Sequence, residues 1–433
     1  MSSTARAKLL VEPKRRGGLV RAKQLLATLG PGIVAGAADD DPSGIATYSI
    51  AGAQFGTSLL WLAPLTWPLI AVIQMMCARI GMVTGRGLAG ALRAKFPRWV
   101  LVLVGVSLFI ANTINVAADL AGMADAASLM TGWSSHVYVV VFGLAIGAAT
   151  LWLPYRRLAS ALKWLAVSLF AYVVTAFSVH VRWEQVIHDS FVPSLPRGSE
   201  AVATVVAILG TTISPYLFFW QASLEVEEEK CIGRTRLRAR LGATAEELNS
   251  RRWDVGIGTL FSNLIMFFII VTTAATLHAH GATKIETSRQ AAEALRPFAG
   301  NSAAALYTIG LIGVGVLAIP TLTGSSAYAL AETLGWRSGL TEQPAHARKF
   351  YAIVVLSTVV GIALDFAQVS PIRALFLSAV INGLLAPVVL FGVVLVARDP
   401  VLMQGQASSG ASLAVVAFAV VIMVAAAVGM FVF

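Results

Sequence analysis

The chain is built from apolar stretches that recur along its length, most of them long enough to cross about 30 Å of hydrocarbon as a helix. Eleven such spans are read in the 433 residues, at about 29–54, 57–80, 99–122, 136–154, 160–180, 200–226, 254–278, 302–333, 349–368, 371–397 and 411–433. In lipid every backbone polar group must find its partner within the protein, which leaves helices or closed barrels, and these runs are too long for barrel strands. The sequence therefore predicts an all-α protein whose solvent is the lipid bilayer. Charged residues make up 12% of it, against about 25% in a soluble domain.

The net charge of +10 is a topology signal rather than a nucleic-acid footprint. Basic residues gather in alternate connections: Arg6 to Lys23 before the first span, Arg79 to Arg98 after the second, Arg156, Arg157 and Lys163 after the fourth, and Lys230 to Arg252 after the sixth. That pattern places the N-terminus in the cytoplasm and, with an odd span count, the C-terminus outside. A bacterial plasma (inner) membrane is expected, with no nucleic-acid partner. No apolar core with a small-residue cleavage site marks a signal peptide. The two cysteines, Cys77 and Cys231, form no spaced metal motif. The expected organisation is a basic segment over 1–28, a ten-span core over 29–397, and a connection with the eleventh span over 398–433. The charged segment 225–254 reads as a solvated cytoplasmic loop with a short helix. Nothing in the sequence gives the oligomeric state.

Spans one and six share an interruption. Asp41-Pro42-Ser43-Gly44 breaks the first midway, and Gly210-Thr211-Thr212-Ile213-Ser214-Pro215-Tyr216 breaks the sixth. Proline removes a backbone donor and pushes its predecessor out of helical geometry. Backbone groups freed at such depth persist where they line a cavity or bind something. Interrupted spans at corresponding places, five spans apart, point to a 5+5 inverted repeat, here about 29–180 and 200–397, with the substrate site at the breaks.

Asp41 is the leading ligand candidate, because a carboxylate inside a span is costly and marks an ion path, a proton relay or a counter-ion. Asp39, Asp40 and Asp41 lie about 100° apart on a helix, so they cannot all face one site. Asp39 and Asp40 are read as lining an aqueous approach or bonding locally to freed backbone. Asn112, Asn115 and Asp119 fall on one helical stripe and form either a polar wall of the pathway or interhelical bonds. Ser378 and Asn382 stand one turn apart in span ten, with Arg373 near its outer end, placed to snorkel or attract an anion. The segment IPTLTGSS, 319–326, reads as a soft break in span eight. His278 and His280 read as solvated. No metal motif and no nucleophile–base pair is present, so neither an enzyme nor a bound cofactor is expected.

The stretch GPGIVAGAADDDPSGIATYSIAGAQFG, followed by SLLWLAPLTWPLIAVIQMMCARIGMVTGRGLA, resembles the first two spans of the NRAMP family (natural resistance-associated macrophage proteins). ILGTTISPYLFFWQAS in span six, ADLAG in span three and SAVINGLLAP in span ten fit the same family. The resemblance implies a leucine-transporter-type fold of eleven spans with discontinuous spans one and six. It also implies proton-coupled transport of a divalent metal, with Asp41 as the metal ligand.

The site departs from the family pattern. The usual D-P-G-N is Asp41-Pro42-Ser43-Gly44 here, so the asparagine ligand becomes Gly44. The usual A-T-V-M-P-H is Thr211-Thr212-Ile213-Ser214-Pro215-Tyr216, so the methionine ligand becomes Ser214 and the proton-linked histidine becomes Tyr216. T-D-L-A-E becomes Ala118-Asp119-Leu120-Ala121-Gly122, and the span-ten glutamine aligns with Ala379. Losing a thioether removes the soft ligand that selects transition metals, and the smaller side chains imply a larger, harder site. Such a site suits a magnesium- or manganese-class cation that keeps its waters, carried bare or as a complex with a small organic acid of the citrate type, whose carboxylate the half-helix N-termini would meet. Alternatives are a transporter of a small organic ion without metal, or a ligand sensor that does not transport. Expected substrate contacts are Asp41, Ser43, Gly44, Thr211, Ser214, Tyr216, Ser378 and Asn382. Asp39, Asp40, Asn112, Asn115, Asp119 and Arg373 are expected along the pathway or in coupling.

Overall fold

A computed structural model describes residues 40–152, 167–367 and 370–432. The helices are α1 Pro42–Phe55, α2 Leu62–Thr84, α3 Leu88–Leu92, α4 Arg98–Thr131, α5 Ser135–Trp152, α6 Phe170–Ser178, α7 Trp183–Phe191, α8 Ser199–Thr212, α9 Pro215–Cys231, α10 Ala245–Thr276, α11 Ala303–Leu334, α12 Arg348–Asp365, α13 Pro371–Ala397 and α14 Gly410–Val432, with short helical turns between them. Among the described residues there is no strand, and eight helical stretches are long and apolar enough to cross a membrane. Spans one and five are described only from Asp40 and Val167 onward.

Both breaks begin a helix on proline. Pro42 opens α1 at the position where a missing N–H costs nothing, and Asp41 precedes it in extended geometry as the N-cap. In span six the helix stops at Thr212, Ile213 and Ser214 leave helical geometry, and Pro215 opens α9. The interrupted span six is thus present as two half-helices.

The long α4 is the spine of the bundle and packs against α5, α11, α12 and α13. α8 and α13 cross at glycines. A Cβ on Gly210 would lie 2.0 Å from the Ala379 carbonyl oxygen and 2.3 Å from the Gly383 nitrogen, and one on Gly383 would lie 2.5 Å from the Val206 carbonyl oxygen. The backbones touch there, immediately before the break. On the far side of the membrane, the connection carrying α7 is strapped to the end of α1. Thr57 donates to Asp189 at 2.5 Å, Trp61 to the Ser194 carbonyl at 2.9 Å, and Gln54 to Glu200. Burial pushes the Asp189 carboxyl up, but hydrogen bonds from Thr57, His188 and Gln185 outweigh it and hold it below its ordinary value.

Three sequence expectations change. The segment 225–254 is a largely exposed loop only over its middle, 232–244, and is helical on either side. α9 runs on to Cys231, and a capping box between Thr244 and Glu247 starts α10 nine residues before the expected span. Glu225, Glu227, Glu229 and Asp254 are buried there, with Arg251 paired to Glu225 at 2.8 Å, Glu228 at 2.5 Å and Asp254 at 2.6 Å. IPTLTGSS is no break, because α11 continues through Pro320. Its hydroxyls bond back to their own helix, Thr321 to Leu317, Thr323 to Ile319 and Ser326 to Leu322. Span three extends to Thr131, well beyond its expected end.

The glycine crossing is testable. Gly210→Ala must separate two backbones, and overpacking of this kind costs about 1–3 kcal/mol. A thermal-unfolding measurement should give a Tm several degrees lower than that of Gly147→Ala in α5, whose Cβ would meet only a methyl at 3.6 Å.

Candidate functional site

The site is built around Asp41, which is 1% exposed. Its Oδ1 accepts from the Ser43 hydroxyl at 2.6 Å and the Gly44 amide at 2.7 Å, so the carboxylate caps the first turn of α1. Its Oδ2 accepts from Asn115 Nδ2 on α4 at 3.0 Å. Asn115 Oδ1 in turn accepts from the Ser378 hydroxyl on α13 at 2.5 Å. One hydrogen-bonded chain therefore links the break in span one to α4 and α13. An asparagine suits the middle of it, since it donates to the carboxylate with one end and accepts from the hydroxyl with the other.

Around this chain stand buried polar atoms without a hydrogen-bond partner. They are Thr211 Oγ1 and both side-chain polar atoms of Asn382. Asp119 faces the Asp41 charge and the Ser43 amide. A Cβ on Gly44 would lie 3.1 Å from Thr211 Oγ1 and 3.6 Å from Asp41 Oδ1, so the two oxygens bracket the point that Gly44 leaves open. Asn382 is one turn beyond Ser378 and adjoins Gly383 at the α8–α13 crossing. Buried polar groups are almost always paired, so this concentration of unpaired ones, all hard oxygen or amide groups, marks a place for a polar ligand. Among the described residues no group of three His, Cys, Asp or Glu side chains is placed to hold a metal ion. A cation here would meet one or two carboxylates and otherwise neutral oxygens.

Several expected site residues stand elsewhere or act differently. Asp39 lies outside the described residues. Asp40 is fully buried and accepts from Ser262 on α10 at 3.0 Å, so it does not face an aqueous vestibule. Asn112 is not in the pathway wall, because it donates to the Leu322 carbonyl at 3.0 Å, to Ser325 at 3.0 Å and to Ser326 at 2.9 Å, pinning α4 to α11. Arg373 is exposed at the start of α13, 3.9 Å from Glu286, and does not reach the site. Ser214 does not present its hydroxyl proton to a ligand, since it lies 2.7 Å from the Gly210 carbonyl and 2.8 Å from that of Thr211, finishing the end of α8. Tyr216 is fully buried in the core. Sequence reasoning missed Tyr48 and Thr212, whose hydroxyls meet at 3.2 Å and tie the two breaks together. Tyr48 sits one turn past Gly44, and that spacing is the signal that could have found it.

A span divided into two half-helices, beside a helix that opens on a buried carboxylate in a helical membrane bundle, fits a transporter of the inverted-repeat class rather than an enzyme. A family profile described as natural resistance-associated macrophage protein-like matches residues 32–433. The chain belongs to the NRAMP family and is an integral membrane transporter. The divalent metal cation transporter MntH of Klebsiella pneumoniae (strain 342) is 30% identical over 312 residues, which is 70% of this chain and 71% of that one. The crystal structure of the Eremococcus coleocola manganese transporter, bound to an aromatic bis-isothiourea substituted compound, superposes with a TM-score of 0.75 at 19% identity over 95% of this chain and 87% of that one. MhsT in complex with L-phenylalanine gives 0.56 at 14% identity over 92% and 98%. The two structural likenesses show the leucine-transporter-type fold.

The two asparagines of α4 separate binding from packing. Asn112→Ala removes only helix-to-helix bonds, so it should lower Tm while leaving KM for transport unchanged. Asn115→Ala frees Asp41 Oδ2 and Ser378, and should raise KM roughly tenfold, the share of a hydrogen bond to a charged group. Uptake kinetics and thermal unfolding of both variants check this.

Proposed function

We propose that this protein is a secondary transporter that takes up a divalent metal cation through a site harder than the usual one for its family. Family membership and the likeness to MntH and to a manganese transporter support divalent metal transport. The finer reading rests on one observation, the donor set around Asp41. It holds a single hydrogen-bonded carboxylate, a second carboxylate at Asp119, the unpaired Thr211 hydroxyl and the Asn382 amide, with no thioether or imidazole among the residues of the two breaks.

Oxygen donors suit magnesium and manganese, and magnesium gives up its waters reluctantly. The substrate is therefore a cation that keeps part of its hydration shell or arrives with a citrate-type acid in place of those waters. Asp41 supplies the charge, and Thr211 and Asn382 meet the outer shell. Asp119 is assigned any proton coupling, since Gly122 and Tyr216 stand where the family carries a glutamate and a histidine. The loop charges support a cytoplasmic N-terminus in a bacterial inner membrane.

The test is manganese and magnesium uptake into proteoliposomes, with and without citrate, each repeated with Asp41→Ala. Free-ion uptake is expected, reduced roughly ten- to a hundredfold in the variant, as for loss of a charge-assisted contact. Uptake only with citrate assigns the complex as substrate. Transport of an organic ion independent of metal, or ligand binding without any uptake, would overturn the reading.

A further inference from the structure

A groove of about 720 Å³ lies on the outside of the bundle, where α2, the first turns of α10 and the start of α14 meet. Its upper wall is apolar and open, formed by Trp67, Pro68 and Met75 on α2. Its lower end carries Arg79 from α2, with Asn249 and Arg252 from α10. The groove lining contains two arginines and no carboxylate. Among the described residues, no salt bridge engages Arg79 or Arg252; Arg79 Nε bonds only to the Gln406 carbonyl at 2.9 Å.

Length and level fit one leaflet. Trp67 and Arg79 are twelve residues apart on a continuous helix, about 18 Å at 1.5 Å per residue, close to half of the roughly 30 Å hydrocarbon core plus its interface. Trp253, 68% exposed beside Arg252, is the kind of aromatic that sits at headgroup depth. The wall is also unfilled from the protein side, since a Cβ on Gly256 would meet nothing within 4 Å.

We propose that this groove is a binding site for an anionic glycerophospholipid of the leaflet facing the basic loops. Its phosphate is held between Arg79 and Arg252, its polar headgroup is met by Asn249, and an acyl chain lies along Trp67, Pro68 and Met75. An apolar channel one leaflet long, ending in two unpaired arginines at the interface, has the charge and shape of that lipid and of no soluble anion. Basic pockets between spans on the cytoplasmic side recognise anionic headgroups in this way.

The test uses the full chain in detergent, with phosphatidylglycerol or phosphatidylcholine added, read by native mass spectrometry for retained lipid and by Tm. Phosphatidylglycerol should be retained over phosphatidylcholine by roughly tenfold or more, and it alone should raise Tm. The Arg79→Gln/Arg252→Gln double variant should lose that preference while keeping its Tm in phosphatidylcholine. Gly256→Phe, which fills the groove without changing charge, should lose retention of both lipids. Equal retention of the two lipids by the wild type, or an unchanged preference in the double variant, overturns the proposal. So does a dimer that Gly256→Phe dissociates, which would assign the groove to a second copy of the chain.

Discussion

Everything at the centre of this molecule follows from how helix ends are finished inside a membrane. A broken helix leaves amides at one end and carbonyls at the other with no water to take them. The two breaks are completed in opposite senses. At the first, the Asp41 carboxylate accepts from the Gly44 amide at the start of α1. At the second, the Ser214 hydroxyl turns onto the Gly210 and Thr211 carbonyls at the end of α8. A hydroxyl cap is neutral and complete in itself, but a carboxylate cap is not. N-capping contributes about 0.5–2 kcal/mol, whereas holding an ion away from water costs several. The Asn115 bond and the favourable end of the α1 dipole narrow that gap without closing it. What remains is a demand that a proton or a positive partner would meet, and on that ground we propose Asp41 as a ligand as well as a cap.

The spacing of α4 shows how one stripe of polar residues serves two ends. Asn112 and Asn115 are three residues apart on the same face, yet the first is absorbed by the carbonyl and hydroxyls of α11 and the second by Asp41 and Ser378. The difference lies in the partner helix. α11 is unbroken and offers hydroxyls already bonded to their own helix, so Asn112 completes a packing contact. α1 offers a charged group, and that makes Asn115 a link in a chain, although the Ser378 hydroxyl on α13 also lies 2.8 Å from its own Leu375 carbonyl. The glycines at the α8–α13 crossing bring α13 close to the break in span six.

Much of the architecture was legible in the sequence because a bilayer leaves few options. Span ten was read at Pro371–Ala397 and is found there, and the break before Pro215 divides span six as the proline rule requires. What was not legible depends on neighbours that sequence does not display. Pro320 looked like a break, but α11 runs through it in close packing against α4, and its hydroxyls are taken up by their own helix. The acidic run at 225–229 looked solvated, because pattern alone does not reveal that Arg251, more than twenty residues on, returns to the same place. Ser214 was assigned to ligand binding from its position, and its side chain turned instead to the nearest unsatisfied carbonyls. In each case a local group chose between solvent, ligand and backbone according to what packs against it.

The buried charges at the far end of α9 bear on how the break at Ile213–Ser214 can work. α9 begins at the site and runs 17 residues, about 25 Å, into the cluster where Arg251 meets Glu225, Glu228 and Asp254. It also packs closely on α2, where a Cβ on Gly81 would come within 2.4 Å of the Ala222 carbonyl. Rotating α9 about its own axis would pull Glu225 and Glu228 away from Arg251 and leave buried charges unpaired, at several kcal/mol each. Tilting α9 together with α2 and α10 keeps those pairs and the contact at Gly81, but it works against α11, where a Cβ on Gly324 would lie 2.8 Å from the Trp220 ring, and against Thr341, which donates to Glu227. α9 is therefore held on both sides, and the non-helical Ile213 and Ser214 are what joins this anchored half-helix to α8.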